Sequence, residues 1–279
     1  VIVGMALVVI AMSFKIAIVP FHMWTPDVYT GAPTPVTGFL SAAAKAAGFA
    51  VFVRVLLTGI PLDGANWENV LWILAVLSMT VGNLMALRQS EVKRMLAFSS
   101  IAHAGYVLVA VVVGSASAIS GVIFYSFAYA VMGTGAFGIL TIRDAGRVPQ
   151  TYDDLAGYGR RNPFQALMMT LFMFSLIGLP LTGGFIGKLQ IFSAALDGGW
   201  VWLTVIGILN SALSAYYYLR VVMFMYMREG ALPEGTELSG KSSGFALTGL
   251  IGTAVAVLYL GVFPDKIIEL ASSSIQALL

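Results

Sequence analysis

Three lysines stand inside apolar runs of this 279-residue sequence: Lys15 in Ser13-Phe14-Lys15-Ile16, Lys45 in Ala43-Ala44-Lys45-Ala46, and Lys188 in Ile186-Gly187-Lys188-Leu189. The thirteen acidic residues all fall in the stretches between such runs or near their ends, so no carboxylate accompanies these lysines. An ionisable residue at the centre of a bilayer costs about 2.5–3.5 kcal/mol on insertion scales, hence roughly 8–10 kcal/mol for three. One way to lower that cost is for the long side chain to lift its ammonium to the interface. This suits Lys15, a few residues from a turn region, and Lys188, beside a Gly/Pro interruption. It suits Lys45 poorly, because Lys45 lies about a dozen residues into its run and is flanked by alanines. The other way is a proton or ion relay, in which each lysine passes between charged and neutral forms. Removal from water brings the neutral amine within reach. Partners would then be water, backbone carbonyls, or chain beyond this sequence.

The two histidines can also exchange protons near neutral pH. His103 lies midway along an apolar run, and Ser99, His103 and Tyr106 follow i, i+4, i+7 spacing, which places them on one helix face. That row reads equally as interhelical hydrogen bonding or as the lining of a wet channel. Tyr217, within Tyr216-Tyr217-Tyr218 and near Arg220, is a further candidate for channel lining, while interfacial anchoring accounts for some of these tyrosines. His22, in Pro20-Phe21-His22-Met23-Trp24, serves either a structural hydrogen bond or proton uptake. Glycine-rich phosphate loops, His/Asp/Glu metal clusters and nucleophile–base orders are all missing from the sequence. No metal, cofactor or redox site is therefore expected on this chain.

The elements that must hold these residues are set by composition. Hydrophobic residues make up 59% of the chain and charged residues 10%, against about 25% charged in a soluble domain. Low charge excludes disorder, and a net charge of +2 gives no basic face for nucleic acid. Without cysteine there is no disulfide and no thiolate-held cluster. The fold class expected is all-α, a polytopic membrane bundle in the lipid bilayer. Eight runs are long enough to cross at roughly 20 residues each: about 1–20, 34–58, 67–87, 91–113, 117–140, 163–196, 200–227 and 243–263. Pro20, Pro26, Pro33 and Pro35 mark the first connection as a loop. The run 163–196 contains Gly178-Leu179-Pro180-Leu181-Thr182-Gly183-Gly184, which a regular helix tolerates poorly. Pro20, Pro180, Gly183 and Gly184 are thus the expected helix breaks, each near one of the lysines. Counting 163–196 as one broken crossing puts Arg88, Lys93, Arg94, Arg143, Arg147, Arg160, Arg161, Arg228 and Lys241 on one side. By the positive-inside rule that side is cytoplasmic and both chain ends lie on the other. The sequence opens at Val1 inside an apolar run, and reads as a portion of something longer.

The stretch from Phe14 to Tyr29, FKIAIVPFHMWTPDVY, resembles the signature of the antiporter-like membrane subunits of respiratory complex I. Gly82-Asn83-Leu84-Met85-Ala86-Leu87, the run from Lys93 to Tyr106, and the run from Gly178 to Lys188 continue the resemblance over nearly the whole chain. Lysine after Gly-Phe-Ile-Gly, and the loop Tyr152-Asp153-Asp154-Leu155-Ala156-Gly157, are similar to the N type, whereas the M type is expected to carry glutamate at the first position. The resemblance implies a fourteen-helix protein with two inverted five-helix repeats and broken helices seven and twelve. This chain would supply helices seven to fourteen. Residues 1–66 would end the first repeat, 67–228 form the second, and 229–279 add a last transmembrane helix and short tail. The resemblance makes Lys15, Lys45 and Lys188 the lysines of helices seven, eight and twelve; His103 joins the expected proton relay on its own position midway along an apolar run. The family's helix-five glutamate has no counterpart here. By the same resemblance the chain would belong to a proton-translocating NADH:quinone oxidoreductase, with NADH, FMN, iron–sulfur clusters and quinone on partner subunits, in the bacterial inner membrane. A subunit of a multi-subunit sodium/proton antiporter, or a purely structural membrane subunit, are the alternatives.

Overall fold

Helices account for nearly all of the computed structural model, which describes residues 2–58, 67–143, 150–229 and 244–276. Among these the only β pairing is an isolated bridge between Glu91 and Thr151. The order is α1 (Ile2–Ile16), α2 (Trp24–Gly31), α3 (Thr34–Phe39), a π turn (Leu40–Ala44), α4 (Lys45–Thr58), α5 (Trp67–Leu87), α6 (Val92–Val113) and α7 (Ala116–Arg143). A 3₁₀ turn (Asp153–Leu155) follows, then α8 (Tyr158–Arg161), α9 (Pro163–Ile177), α10 (Gly183–Asp197), α11 (Val201–Met227), α12 (Gly244–Val262) and α13 (Asp265–Gln276). Among the described residues, six helices are long and apolar enough to span a membrane alone: Thr34–Leu56, Trp67–Leu87, Val92–Val113, Ala116–Arg143, Val201–Met227 and Gly244–Val262. The shorter apolar α1 and the α9–α10 pair complete eight crossings.

α6 is the axis of the bundle, buried along almost its whole length. It packs closely on α5 because glycines remove the side chains between them. A Cβ added at Gly82 would lie 2.7 Å from Ala102 N, and one at Gly105 would lie 2.6 Å from Met79 N. Small residues at such contacts let backbones approach where no hydrophobic force separates helix from lipid. This close approach puts Asn83 of α5 beside Tyr106 of α6.

The structure departs from the sequence reading at three places. Residues 24–31, expected as loop for their prolines, form α2, since Pro26 sits in the first turn, where no backbone donor is needed. The run 34–58 is not one regular helix: the π turn Leu40–Ala44 widens it immediately before Lys45, and such turns often mark functional positions. The tail beyond 263 is a helix, α13, whose Ala271 and Ile275 are buried and whose Ser272 hydroxyl meets that of Ser120 at 3.1 Å.

At one end of the bundle the basic segments converge. Arg94 pairs with Asp27 at 2.7 Å, Arg160 faces Glu229 at 3.8 Å, and Arg220 stacks over the buried Tyr152 ring at 4.2 Å. Burial pushes the Tyr152 phenol up to about 12, against the pull of Arg220. Arg147 and Lys241 lie outside the described residues.

Candidate functional site

Two of the three intramembrane lysines are buried, and α6 stands between them. Lys45 is 6% exposed and Lys188 5%. The Lys45 ammonium donates to Ser100 O at 2.7 Å and to Ser100 Oγ at 3.0 Å. One turn along α6, His103 is held at both ring nitrogens by tyrosine hydroxyls, Tyr125 at Nδ1 (2.5 Å) and Tyr218 at Nε2 (2.8 Å). Tyr218 also bonds Ser99. A cavity of about 10 Å³, on the order of one water molecule, separates Lys45 from His103. Tyr125, Ser126 and Tyr129 line it, and the buried Ser126 Oγ has no hydrogen-bond partner among the described residues.

Lys188 is placed by the break in its own helix. α9 ends after Ile177 and α10 begins at Gly183, with Pro180 in the interval. Gly178 takes φ +91°, where side chains are disfavoured, and the Gly178 and Leu179 amides turn back onto Ser175 O and Phe174 O. The carbonyls left over at the end of α9 are Leu176 O and Ile177 O. Lys188 Nζ donates to both, at 3.1 and 2.8 Å, and to Ser211 Oγ at 2.8 Å. Its charge therefore sits at the negative end of the α9 dipole, an arrangement worth up to about 2 kcal/mol when partly buried. The ammonium also lies 4.8 Å from the centre of the Tyr106 ring. Gly183 and Gly184, expected at the break, open α10 instead. Gly184 N donates to Ser175 Oγ at 3.2 Å, and a Cβ there would fall 1.9 Å from Ser175 O.

The first break, at residues 17–23, is closed differently. Trp24 Nε1 donates to Phe14 O at 2.9 Å and Val19 N to Ser78 Oγ at 3.1 Å. Lys15 is exposed at the end of α1, with its stem against Gly48 of α4. Pro20 lies inside this break. His22 is buried with no partner for Nδ1 among the described residues, and no contact joins it to the His103 cluster.

The structure thus brings Lys45, His103, Lys188, Ser99, Tyr106 and Tyr217 into one buried region and leaves Lys15 and His22 to one side. The Tyr216-Tyr217-Tyr218 run divides by register. Tyr217 and Tyr218 are fully buried, Tyr216 is 64% exposed, and Arg220 turns to the basic end. Sequence reasoning did not single out Asn83, Ser100, Tyr125, Asn210 or Ser211. The signal available for Asn83 and Asn210 was an amide inside an apolar run.

A buried lysine–histidine–lysine series in a bundle with two helix breaks makes this a polytopic helical membrane protein with ionisable groups in its interior. The family model described as "NADH:quinone oxidoreductase/Mrp antiporter, TM" matches residues 1–214, and the chain belongs to that family. It is 50% identical over 275 residues to a protein of Trichlorobacter lovleyi called NADH-quinone oxidoreductase subunit N, covering 98% of this chain and 56% of that one. A chain of respiratory complex I from Thermus thermophilus, solved with bound aureothin, is 37% identical with a TM-score of 0.79, over 92% of this chain and 56% of its own. A chain of the Mrp complex from a Dietzia species shares the fold, with a TM-score of 0.85 at 22% identity, over 97% of this chain and 58% of its own. The chain therefore spans a little over half the length of the proteins it matches.

Proposed function

We propose that this chain is the lysine-bearing second half of an N-type membrane subunit of a proton-translocating NADH:quinone oxidoreductase. The observation that carries the reading is the placement of Lys45 and Lys188, both buried and both without a carboxylate, on either side of His103. Each lysine is held by neutral oxygens, which accept from an ammonium and tolerate an amine. A proton can therefore be held at either site without a permanent counter-charge, which a purely structural ion pair would require. Transfer between Lys45 and His103 would use water in the cavity they line, with Ser126 Oγ as a free partner for it. Lys15 and the break at Pro20 would take part once the remaining helices of the fold lie against them.

The subunit name borne by the Trichlorobacter lovleyi relative supports this reading over the sodium/proton antiporter alternative. NADH oxidation, flavin, iron–sulfur clusters and quinone reduction belong in this reading to partner subunits, and the chain contacts other membrane subunits and lipid. Residues 1–66 would close one inverted repeat, 67–228 form the second, and 229–279 supply the last helices. The basic end would face the cytoplasm of a bacterial inner membrane, and both chain ends the other side.

The test is substitution of Lys45 in the assembled complex. Lys45→Ala removes a relay site, and Lys45→Arg retains the charge but does not release its proton. Both are expected to lower proton pumping and coupled quinone reduction at least tenfold while assembly survives. A Lys45→Arg complex that assembles and pumps at the native rate would defeat the relay reading and favour a structural subunit.

A further inference from the structure

Beside the lysine–histidine series runs a second polar network that the relay does not use. Asn83, on α5, is fully buried, and its amide reaches two other helices. Its Nδ2 donates to Tyr106 OH at 3.2 Å on α6, and to Asn210 O at 3.1 Å and Asn210 Oδ1 at 3.2 Å on α11. Its Oδ1 accepts from Tyr217 OH at 2.8 Å. Asn210 in turn donates to Thr80 Oγ1 at 3.3 Å, closing the network back onto α5. An amide with both oxygen and nitrogen engaged is spatially determined, and a half-satisfied one in an apolar interior is costly.

The network ends on the groups around Lys188. Tyr106, held at its hydroxyl by Asn83, lays its ring 4.8 Å from the Lys188 ammonium. Tyr217, held by the same side chain, packs its ring 4.4 Å from that of Tyr218, the partner of His103. We infer that Asn83 is a positioning residue of the relay: it fixes the Tyr106 ring under Lys188 and the Tyr217–Tyr218 pair against His103, and so sets how firmly Lys188 holds its proton. This rests on the relay reading above. It differs from simple helix bonding in a checkable way, because the aromatic face favours the charged lysine and disappears as a stabilising partner when the ring is free to turn.

The ionisable groups around Lys188 are His103 and Tyr106 from α6, Tyr125 from α7, and Tyr217 and Tyr218 from α11. α9 presents the carbonyls of Leu176 and Ile177, and α12 presents Val257 and Leu260 beside Gly183. Among the described residues no carboxylate enters this cluster.

The experiment compares Asn83→Leu and Asn83→Asp in the intact complex, reading proton pumping against pH with Lys188→Ala alongside. Asn83→Leu removes the side chain that ties both tyrosines to α5, leaving them Ser214 on α11, and the alkaline limb of the profile should move down by roughly half a unit to one unit, the range that loss of a cation–π contact allows. Asn83→Asp has the same shape, still accepts from Tyr217 OH, replaces the nitrogen that donated to Tyr106 OH and Asn210 with an acceptor, and brings a negative charge one ring away from Lys188. Its alkaline limb should move up. Should the leucine variant fail to assemble, the aspartate variant decides alone. An Asn83→Asp complex with the native profile, while Lys188→Ala is inactive, would overturn the inference. Full pumping by Lys188→Ala would instead overturn the relay reading on which it rests.

Discussion

Lys188 joins chemistry to architecture, because the ammonium that would carry a proton is also the cap of a half-helix. Three acceptors share it: Leu176 O, Ile177 O and Ser211 Oγ. A neutral amine keeps two N–H donors, enough for both carbonyls, and the Ser211 hydroxyl, which already donates to Ile177 O, needs no third, so the cap persists in either protonation state. Lys188→Met should keep most of the stem packing and leave Leu176 O without its donor, while Ile177 O keeps the Ser211 hydroxyl. A buried acceptor left unpaired costs about 1–3 kcal/mol. We expect the variant to have a lower thermal stability than the native protein, by several degrees measured by tryptophan fluorescence. A variant as stable as the native protein would show that the cap contributes nothing. Lys45 has no such duty, since its acceptor Ser100 O lies within a continuous helix. Its substitution should disturb function far more than stability.

At the scale of elements, the two breaks solve one problem by different means. Unwound backbone inside a membrane must find partners within the protein. At the first break the side-chain partners are the Trp24 indole, on Phe14 O at the end of α1, and Ser78 Oγ, on Val19 N, neither of which changes charge. At residues 178–182 they include Lys188, which can. α10 can begin so close to α9 only because position 184 has no side chain. In Gly184→Ala the added Cβ would meet Ser175 O at 1.9 Å, so the half-helices must separate. Overpacking of this kind costs about 1–3 kcal/mol or more. The variant should be expressed poorly or melt well below the native protein. Gly252→Ala, where nothing lies within 4 Å, should behave as native in the same assay.

Across the whole molecule, the basic segments 88–94, 150–162 and 220–229 meet at one end, joined by the Glu91–Thr151 bridge, the Arg160–Glu229 pair and the Arg220–Tyr152 stack. Gly198 and the Ser115–Ser117 contact lie toward the other end, separated from the first by the length of α6 and α10. The sequence has no cysteine, so single introduced cysteines report side directly. Ser90→Cys and Ser117→Cys, both at exposed positions flanking α6, should react with an impermeant maleimide from opposite faces of sealed vesicles, Ser90→Cys from the cytoplasmic face. Reaction of both from one face would refute the eight-crossing arrangement.

Much of this was legible before any coordinates. The apolar lengths set the number of crossings, and Gly178 and Pro180 forced a break, since left-handed backbone and a missing amide donor are local properties. The lysines stood out because an intramembrane charge is costly wherever it is placed, and Ser99, His103 and Tyr106 aligned by helical period alone. Tertiary structure decided which helices meet. Ser100, Tyr125 and Ser211 are inexpensive residues in an apolar helix and give no signal until a partner helix faces them. Tyr217 was a candidate from the sequence, but that Tyr218 joins it and Tyr216 does not was decided only when α11 settled its face against α5 and α6. The α5–α6 contact depends on Gly82 and Gly105, whose absent side chains leave no period to read. Asn83 reaches Tyr106, and through it Lys188, because two glycines far apart in sequence let two backbones touch.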